Sequence, residues 1–168
     1  MTKTTNNQCS NDQVVYLILD NIRSVHNVGS IFRTAEALDI SKIYCIETTP
    51  VPMDRFNRKR SDLAKVALGA EDLIPWEHTN NAIALVKRLK KEGFKIVSLE
   101  QASKSIDYKK VKVKSNDKIA LIFGNEIDGI SKSLLKLSDI ITEIPMRGKK
   151  ESLNVSVAAG IVLFRLLD

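Results

Sequence analysis

The sequence predicts an α/β domain built on a mainly parallel sheet flanked by helices. Three observations carry this. Short apolar runs of strand length recur and read as strands covered on both faces; segments with helical apolar spacing fall between them; and polar, glycine-containing loops follow three of the runs. A chain of 168 residues suffices for one domain with a sizeable core. We expect a flexible polar tail at 1–12 and a single domain at 13–168.

The elements follow in order. Val14-Val15-Tyr16-Leu17-Ile18-Leu19 is a continuous apolar run, as expected of a central parallel strand. Asn27 is placed to cap a helix in which Val28, Ile31, Phe32, Ala35 and Leu38 form one apolar stripe. Lys42 to Ile46 reads as a second strand, and the stretch after Pro50 and Pro52 as irregular. A helix fits Asn80 to Glu92, with Gly93 as its stop, followed by a strand from Lys95 to Leu99. Ile119 to Phe123 is another buried strand, broken by Gly124. A short helix near Ser131 to Leu137 leads to the strand Ile140 to Ile144, closed by Pro145. The last element, Leu153 to Leu167, is apolar almost all round and reads most simply as a buried core helix, although a dimer interface would also bury it.

Composition excludes several classes. Hydrophobic residues at 43% and charged residues at 27%, with 7 Gly and 4 Pro, rule out collagen-like, low-complexity and wholly disordered chains. The longest near-apolar stretch, Val157 to Phe164, falls far short of the roughly 20 residues of a membrane helix, so no membrane is expected as partner. Met1 to Gln8 lacks the apolar core of a secretory signal, and Cys9 and Cys45 have no metal or scaffold spacing, which suits a reducing cytosol. The only histidines, His26 and His78, have no partners at metal-ligand spacing, and no metal is expected.

The net charge of +6 favours a polyanionic partner. Two stretches hold the excess. Arg55, Arg58, Lys59, Arg60 and Lys65 oppose Asp54 and Asp62; six lysines between Lys104 and Lys118 oppose Asp107 and Asp117, there alternating with Val111 and Val113 as on a solvated edge strand. The first stretch, arginine-rich and irregular, is the better phosphate-binding candidate. Trp76, beside Pro75, reads as packing rather than as a stacking platform.

The three loops at strand ends carry the functional signal, since sites of parallel sheets gather there. A dinucleotide fingerprint is missing after the first strand, where only Gly29 stands; a phosphate loop fails because Ile130 occupies the lysine place after Gly124 and Gly129. The loops instead read Asn27-Val28-Gly29-Ser30-Ile31-Phe32-Arg33-Thr34-Ala35, then Leu121-Ile122-Phe123-Gly124-Asn125-Glu126-Ile127-Asp128-Gly129-Ile130-Ser131, then Ile144-Pro145-Met146-Arg147-Gly148-Lys149-Lys150-Glu151-Ser152-Leu153-Asn154-Val155-Ser156. In that order and spacing they resemble the three signature motifs of the SpoU (TrmH-like) RNA 2′-O-ribose methyltransferases of the SPOUT superfamily, over about Val14 to Leu167.

The resemblance implies what periodicity does not show: a C-terminal trefoil knot at about 95–168, a homodimer, and bent S-adenosylmethionine held by Leu99, Glu100, Gly124, Asn125, Ile144, Met146 and Leu153. It implies methyl transfer to a ribose 2′-hydroxyl of structured RNA, tRNA or rRNA, with Arg33, Asn27, Glu126, Ser152 and Asn154 as catalytic residues. Each has a plainer reading: Arg33 as an exposed helix arginine, Asn27 as a cap, Glu126 as a turn carboxylate, and Ser152 as the final helix's cap with Asn154 in its first turn. A guanidinium is a poor base, which favours electrostatic stabilisation by Arg33. Arg55, Arg58, Lys59 and Arg60 are expected on RNA phosphates. The alternative is a non-catalytic RNA-binding module that keeps the fold.

Overall fold

The apolar runs assemble into one seven-stranded, wholly parallel sheet with the strands side by side in the order Trp76–Thr79, Lys42–Ile46, Val14–Asp20, Lys118–Phe123, Lys95–Leu99, Ile140–Glu143 and Ile106–Asp107. The computed structural model describes residues 13–167, so the tail expected at 1–12, with Cys9, lies outside the described residues. In chain order the elements are β1 (Val14–Asp20), α1 (Val25–Ala37), β2 (Lys42–Ile46), α2 (Ser61–Ala67), α3 (Ala70–Leu73), β3 (Trp76–Thr79) and α4 (Ala82–Lys91). Then come β4 (Lys95–Leu99), β5 (Ile106–Asp107), a single 3-10 turn (Tyr108–Lys110), β6 (Lys118–Phe123), α5 (Lys132–Leu135), β7 (Ile140–Glu143) and α6 (Val155–Leu167).

Alternation along the strands divides the core in two. Val15, Leu17 and Leu19 of β1 pack with Ile31, Phe32, Leu63 and Val162 on one face, while Ile18 joins Tyr44, Val86, Leu89 and Ile122 on the other. Each such fully buried large side chain contributes about 1.5–3 kcal/mol. Helix α2 docks closely on α1: a Cβ at Gly29 would lie 2.8 Å from the Val66 Cβ, so this motif glycine serves helix packing.

Register decides where the site lies. Leu19 pairs with Phe123, Phe123 with Leu99, and Leu99 with Thr142, so the loops after β1, β6, β4 and β7 leave one edge of the sheet at the same level.

Three expectations are corrected. The helix cap is Ser24, whose Oγ accepts from the Asn27 N–H at 3.2 Å; α1 starts a turn earlier than apolar spacing implied, and Asn27 lies inside it with its side chain free for other work. Ser152 does not cap α6; Asn154 does, its Oδ1 accepting from the Ser156 N–H at 2.9 Å. Nor is α6 a fully buried helix: Ala159, Val162 and Leu163 are buried, but Val157, Ile161 and Phe164 form an apolar stripe 50%, 37% and 48% exposed. The stretch after Pro50 also holds more structure than expected, because α2, α3 and the four-residue edge strand β3 are too short and too exposed for a period to show.

Candidate active site

A hydrogen-bond chain joins the three motif loops. Asn27 Nδ2 donates to Glu126 Oε1 at 2.7 Å, and Asn154 Nδ2 donates to Asn27 Oδ1 at 3.0 Å. Asn154 Oδ1 in turn accepts from the Ser156 N–H and hydroxyl. Residues 27, 126 and 154 are about a hundred and thirty positions apart in sequence at the extremes, yet meet because β1 and β6 are neighbours and α1 packs against α6. Asn27 is 7% exposed, and both ends of its amide are satisfied.

Beside this chain lies a cavity of about 340 Å³ at the C-terminal ends of β4, β6 and β7, within the roughly 300–1,000 Å³ of small-ligand sites. Leu99, Ile144, Met146 and Leu153 give it an apolar side; Glu100, Glu126, Asp128, Glu143 and Glu151 ring it with carboxylates. Gly124 and Asn125 also line it, so all seven residues expected at a cofactor, together with Glu126 and Ser152, meet at one place. The loop after β4 is tied to the loop after β7 by Gln101 Nε2, which donates to the Glu151 carbonyl at 2.6 Å.

The second-motif loop is shaped by its own contacts. Asn125 Oδ1 accepts from the Ile127 and Asp128 N–H groups, and its Nδ2 donates to the Asn21 carbonyl at 2.7 Å. Glu100 Oε2 accepts from the Ile130 N–H at 2.7 Å and Oε1 from the Gln101 N–H, so this carboxylate fixes two loops. A Cβ at Gly124 would sit 2.5 Å from the Gly129 carbonyl carbon and 2.6 Å from the Ile130 nitrogen. Glycine at 124 is thus required for the loop's close return as well as for any ligand approach. Asp20, at the end of β1, is 5% exposed; burial pushes its carboxyl up from the ordinary value, partly opposed by the hydrogen bond from the Asn21 amide.

Arg33 does not join this group within one chain. It is six residues beyond Asn27 on α1, about 9 Å along the axis and about 120° around it. Its side chain is exposed and, among the described residues, makes no hydrogen bond or ion pair.

The basic stretch after Pro50 is largely self-neutralised. Arg58 pairs with Asp54, Arg60 with Asp62, and Lys59 with the buried Glu71 at 2.7 Å and with Asp72. The backbone N–H of Arg58 and, after it, its guanidinium hold the Asp54 carboxyl below the usual range. Of the four cations expected on RNA, Arg55 alone has no ion pair among the described residues. The six lysines from Lys104 to Lys118 are exposed and outside every ion pair of the described residues; they lie before β5, on the 3-10 turn, in the segment between that turn and β6, and at the first residue of β6, rather than on one edge strand. Trp76 is half-buried against the core, as its packing reading required. Sequence reasoning missed Phe56, 61% exposed beside Arg55, since a lone aromatic in a polar stretch carries no periodic signal.

Comparison with known proteins now decides the family. A sequence model of the SpoU rRNA methylase family matches residues 14–164, nearly the whole chain. The chain belongs to the SpoU rRNA methylase family. Among curated relatives of this SpoU domain, the 23S rRNA (guanosine-2′-O-)-methyltransferase RlmB of Neisseria meningitidis is 33% identical over 88% of the chain and 55% of that protein. The tRNA (guanosine(18)-2′-O)-methyltransferase of Borreliella burgdorferi is 33% identical over 89% of the chain and 64% of that protein. The crystal structure of an AdoMet-bound rRNA methyltransferase from Sinorhizobium meliloti superposes with a TM-score of 0.79 at 29% identity, covering 90% of the chain and 55% of its own. The SpoU domain thus spans less than two thirds of these relatives' lengths.

Proposed function

We propose that this SpoU domain transfers a methyl group from S-adenosylmethionine to a ribose 2′-hydroxyl of structured RNA, tRNA before rRNA. The observation that carries the proposal is the Glu126–Asn27–Asn154 chain standing on the rim of the carboxylate-ringed cavity. The cavity's chemistry fits the cofactor: Leu99, Ile144, Met146 and Leu153 suit a purine and thioether carbons, and the surrounding carboxylates suit a cationic ligand. When bound, the cofactor supplies an electrophilic methyl on a sulfonium.

The chain's own residues then have definable tasks. Asn27, held on both sides, fixes Glu126 and Asn154 at the mouth of the cavity, so that neither has to be ordered when substrate arrives. Ser152 and Asn154 are assigned to the ribose, and Glu126 to ordering the two loops. Arg33 is assigned to the charge that develops on the 2′-oxygen as its proton leaves to solvent; a guanidinium provides a fixed positive fork there and need not act as base.

Two features support a homodimer in which Arg33 serves the partner's cavity. Arg33 stands on the exposed side of α1 without an ion pair among the described residues, and the apolar stripe Val157, Ile161 and Phe164 stands exposed on α6, which packs against α1. We place the domain in the cytoplasm with its RNA; no helix of the described residues is long and apolar enough to cross a membrane. The trefoil knot at about 95–168 belongs to the same proposal.

Titration calorimetry with S-adenosylmethionine tests the reading. Binding of one cofactor per chain is expected, with Leu153→Asp weakening it through a misplaced charge on the apolar side and Arg33→Ala leaving it unchanged. Folded protein that gives no binding heat would return the chain to the alternative, an RNA-binding module without catalysis.

A further inference from the structure

The segment 53–59 is a rigid tip. Met53 and Lys59 pair across it as an antiparallel bridge, and Asp54 Oδ1 accepts from the N–H groups of Phe56 and Arg58 at 2.8 and 2.9 Å. Asn57 takes a left-handed φ of 60°, which asparagine tolerates well. Arg58 is clamped through Nε on Asp54 at 2.9 Å, and Lys59 pins the base of the tip to Glu71 and Asp72 on α3. This framework holds out Phe56, with the Arg55 and Arg58 guanidinium carbons 4.8 and 5.0 Å from its ring centre. Beneath the ring runs a groove of about 910 Å³ walled by Pro50, Val51, Met53, Trp76 and His78.

The groove opens near the C-terminal ends of β2 and β3, on the same sheet edge as the cavity. In sheet order β2 is two strand spacings from β6, about 10 Å, so one flexible strand of nucleic acid can reach both places. A flat apolar ring kept in water next to a guanidinium that has no ion pair among the described residues matches a ligand with a π face and an adjacent anion. Nucleotides have that pairing, and unpaired bases of RNA are commonly bound by stacking on aromatic rings.

We propose that Phe56 is a stacking platform for an unpaired nucleobase of the substrate, near the nucleotide whose ribose is methylated, with Arg55 on a neighbouring phosphate. This rests on the reading of RNA as substrate. Arg58 stays on Asp54 and braces the ring, so that base stacking, and not the summed charge of the stretch, sets the contribution of the tip.

The chain's single tryptophan, Trp76, lines the groove and reports directly on its occupancy. Short unstructured adenosine oligoribonucleotides are titrated against wild type, Phe56→Ala and Phe56→Tyr while Trp76 emission is followed, and an abasic oligomer of equal length is run beside them. For the adenosine oligomer, affinity is expected to fall roughly 5- to 150-fold in Phe56→Ala and to be kept in Phe56→Tyr, the range of one base–aromatic stack. For the abasic oligomer, Phe56→Ala should bind as wild type does, and Arg55→Ala should bind both oligomers more weakly. In methyl-transfer assays Phe56→Ala should raise KM for RNA and leave cofactor affinity unchanged. The proposal is overturned if Phe56→Ala binds the adenosine oligomer like wild type, if wild type does not prefer it to the abasic one, or if light scattering shows that Phe56→Ala merely dissolves a contact between two copies. If wild type transfers methyl to RNA and Phe56→Ala does so with the same KM, only this inference fails; if cofactor binds and no RNA does, the substrate reading fails with it.

Discussion

Asn27→Asp isolates the interaction that joins the motif loops. The substitution keeps the shape of the side chain and the acceptor used by Asn154, but replaces the donor to Glu126 with a second carboxylate oxygen 2.7 Å away. Coulomb repulsion at that distance is about 1.5 kcal/mol in water. The lost bond to a charged acceptor adds about 1.5–3 kcal/mol, taken at its lower end because Glu126 is exposed and can rehydrate. The sum, about 3 kcal/mol at neutral pH, lowers Tm by about 6–12 °C for a domain of this size. The pH dependence has a definite sign. Two facing carboxylates raise each other's pKa, so the penalty is full above the carboxylate range and relieved as pH falls and one of them takes a proton. Thermal unfolding of wild type, Asn27→Asp and Asn27→Ala from neutral pH down to about pH 4 reads this out. The Asp variant should converge on wild type in acid, and the Ala variant should keep a nearly constant deficit. A deficit in Asn27→Asp that is absent at neutral pH, or equal at both ends, would refute the reasoning.

Arg33→Ala should lower kcat by at least about 100-fold, the usual loss for one group that stabilises developing charge, without changing cofactor affinity or Tm; rapid-quench methyl-transfer assays and calorimetry check both parts. Arg33→Lys should recover only part of the rate, because an ammonium lacks the planar fork. Phe164→Glu, at the C-terminal end of the exposed stripe on α6, should convert a particle of twice 18.8 kDa into one of 18.8 kDa by light scattering; wild type at the smaller mass would refute the dimer. Asp20→Asn should raise Tm at neutral pH relative to wild type. Burial lifts the folded-state carboxyl above its ordinary 3.8, so wild type loses stability as pH climbs from that value and the side chain is forced to ionise in place, whereas the amide does not. A wild-type Tm that rises against the variant over that interval would contradict the assignment.

Much of the sheet was legible because its strands are buried on both faces and read as unbroken apolar runs, from Val14 to Leu19 and from Ile119 to Phe123. Elements that bury little left no such trace: β3 is Trp-Glu-His-Thr at an edge, and α2 buries only Leu63 and Ala67. The motif loops were legible as residues but not as a network. That Asn27 bonds Glu126 and Asn154 depends on β1 lying beside β6 and α1 against α6, which no local pattern encodes. Charge misled for the same reason. Lys59 looked free in sequence, yet its partners Glu71 and Asp72 arrive from α3, and only the folded chain shows Arg55 without an ion pair among the described residues and Phe56 exposed. The apolar circumference of α6 was visible, but which side faces its own core was not.

The central claim is methyl transfer to a ribose oxygen, and one measurement addresses it most directly. The protein is incubated with S-adenosylmethionine labelled in the methyl group and with total tRNA or rRNA, the RNA is hydrolysed in alkali, and the labelled products are separated. Since a methylated 2′-oxygen cannot attack the adjacent phosphate, the account predicts label in alkali-resistant dinucleotides at one position, and none with Arg33→Ala. Label recovered on a base in single nucleotides, or no label from wild-type protein that binds the cofactor, would contradict it.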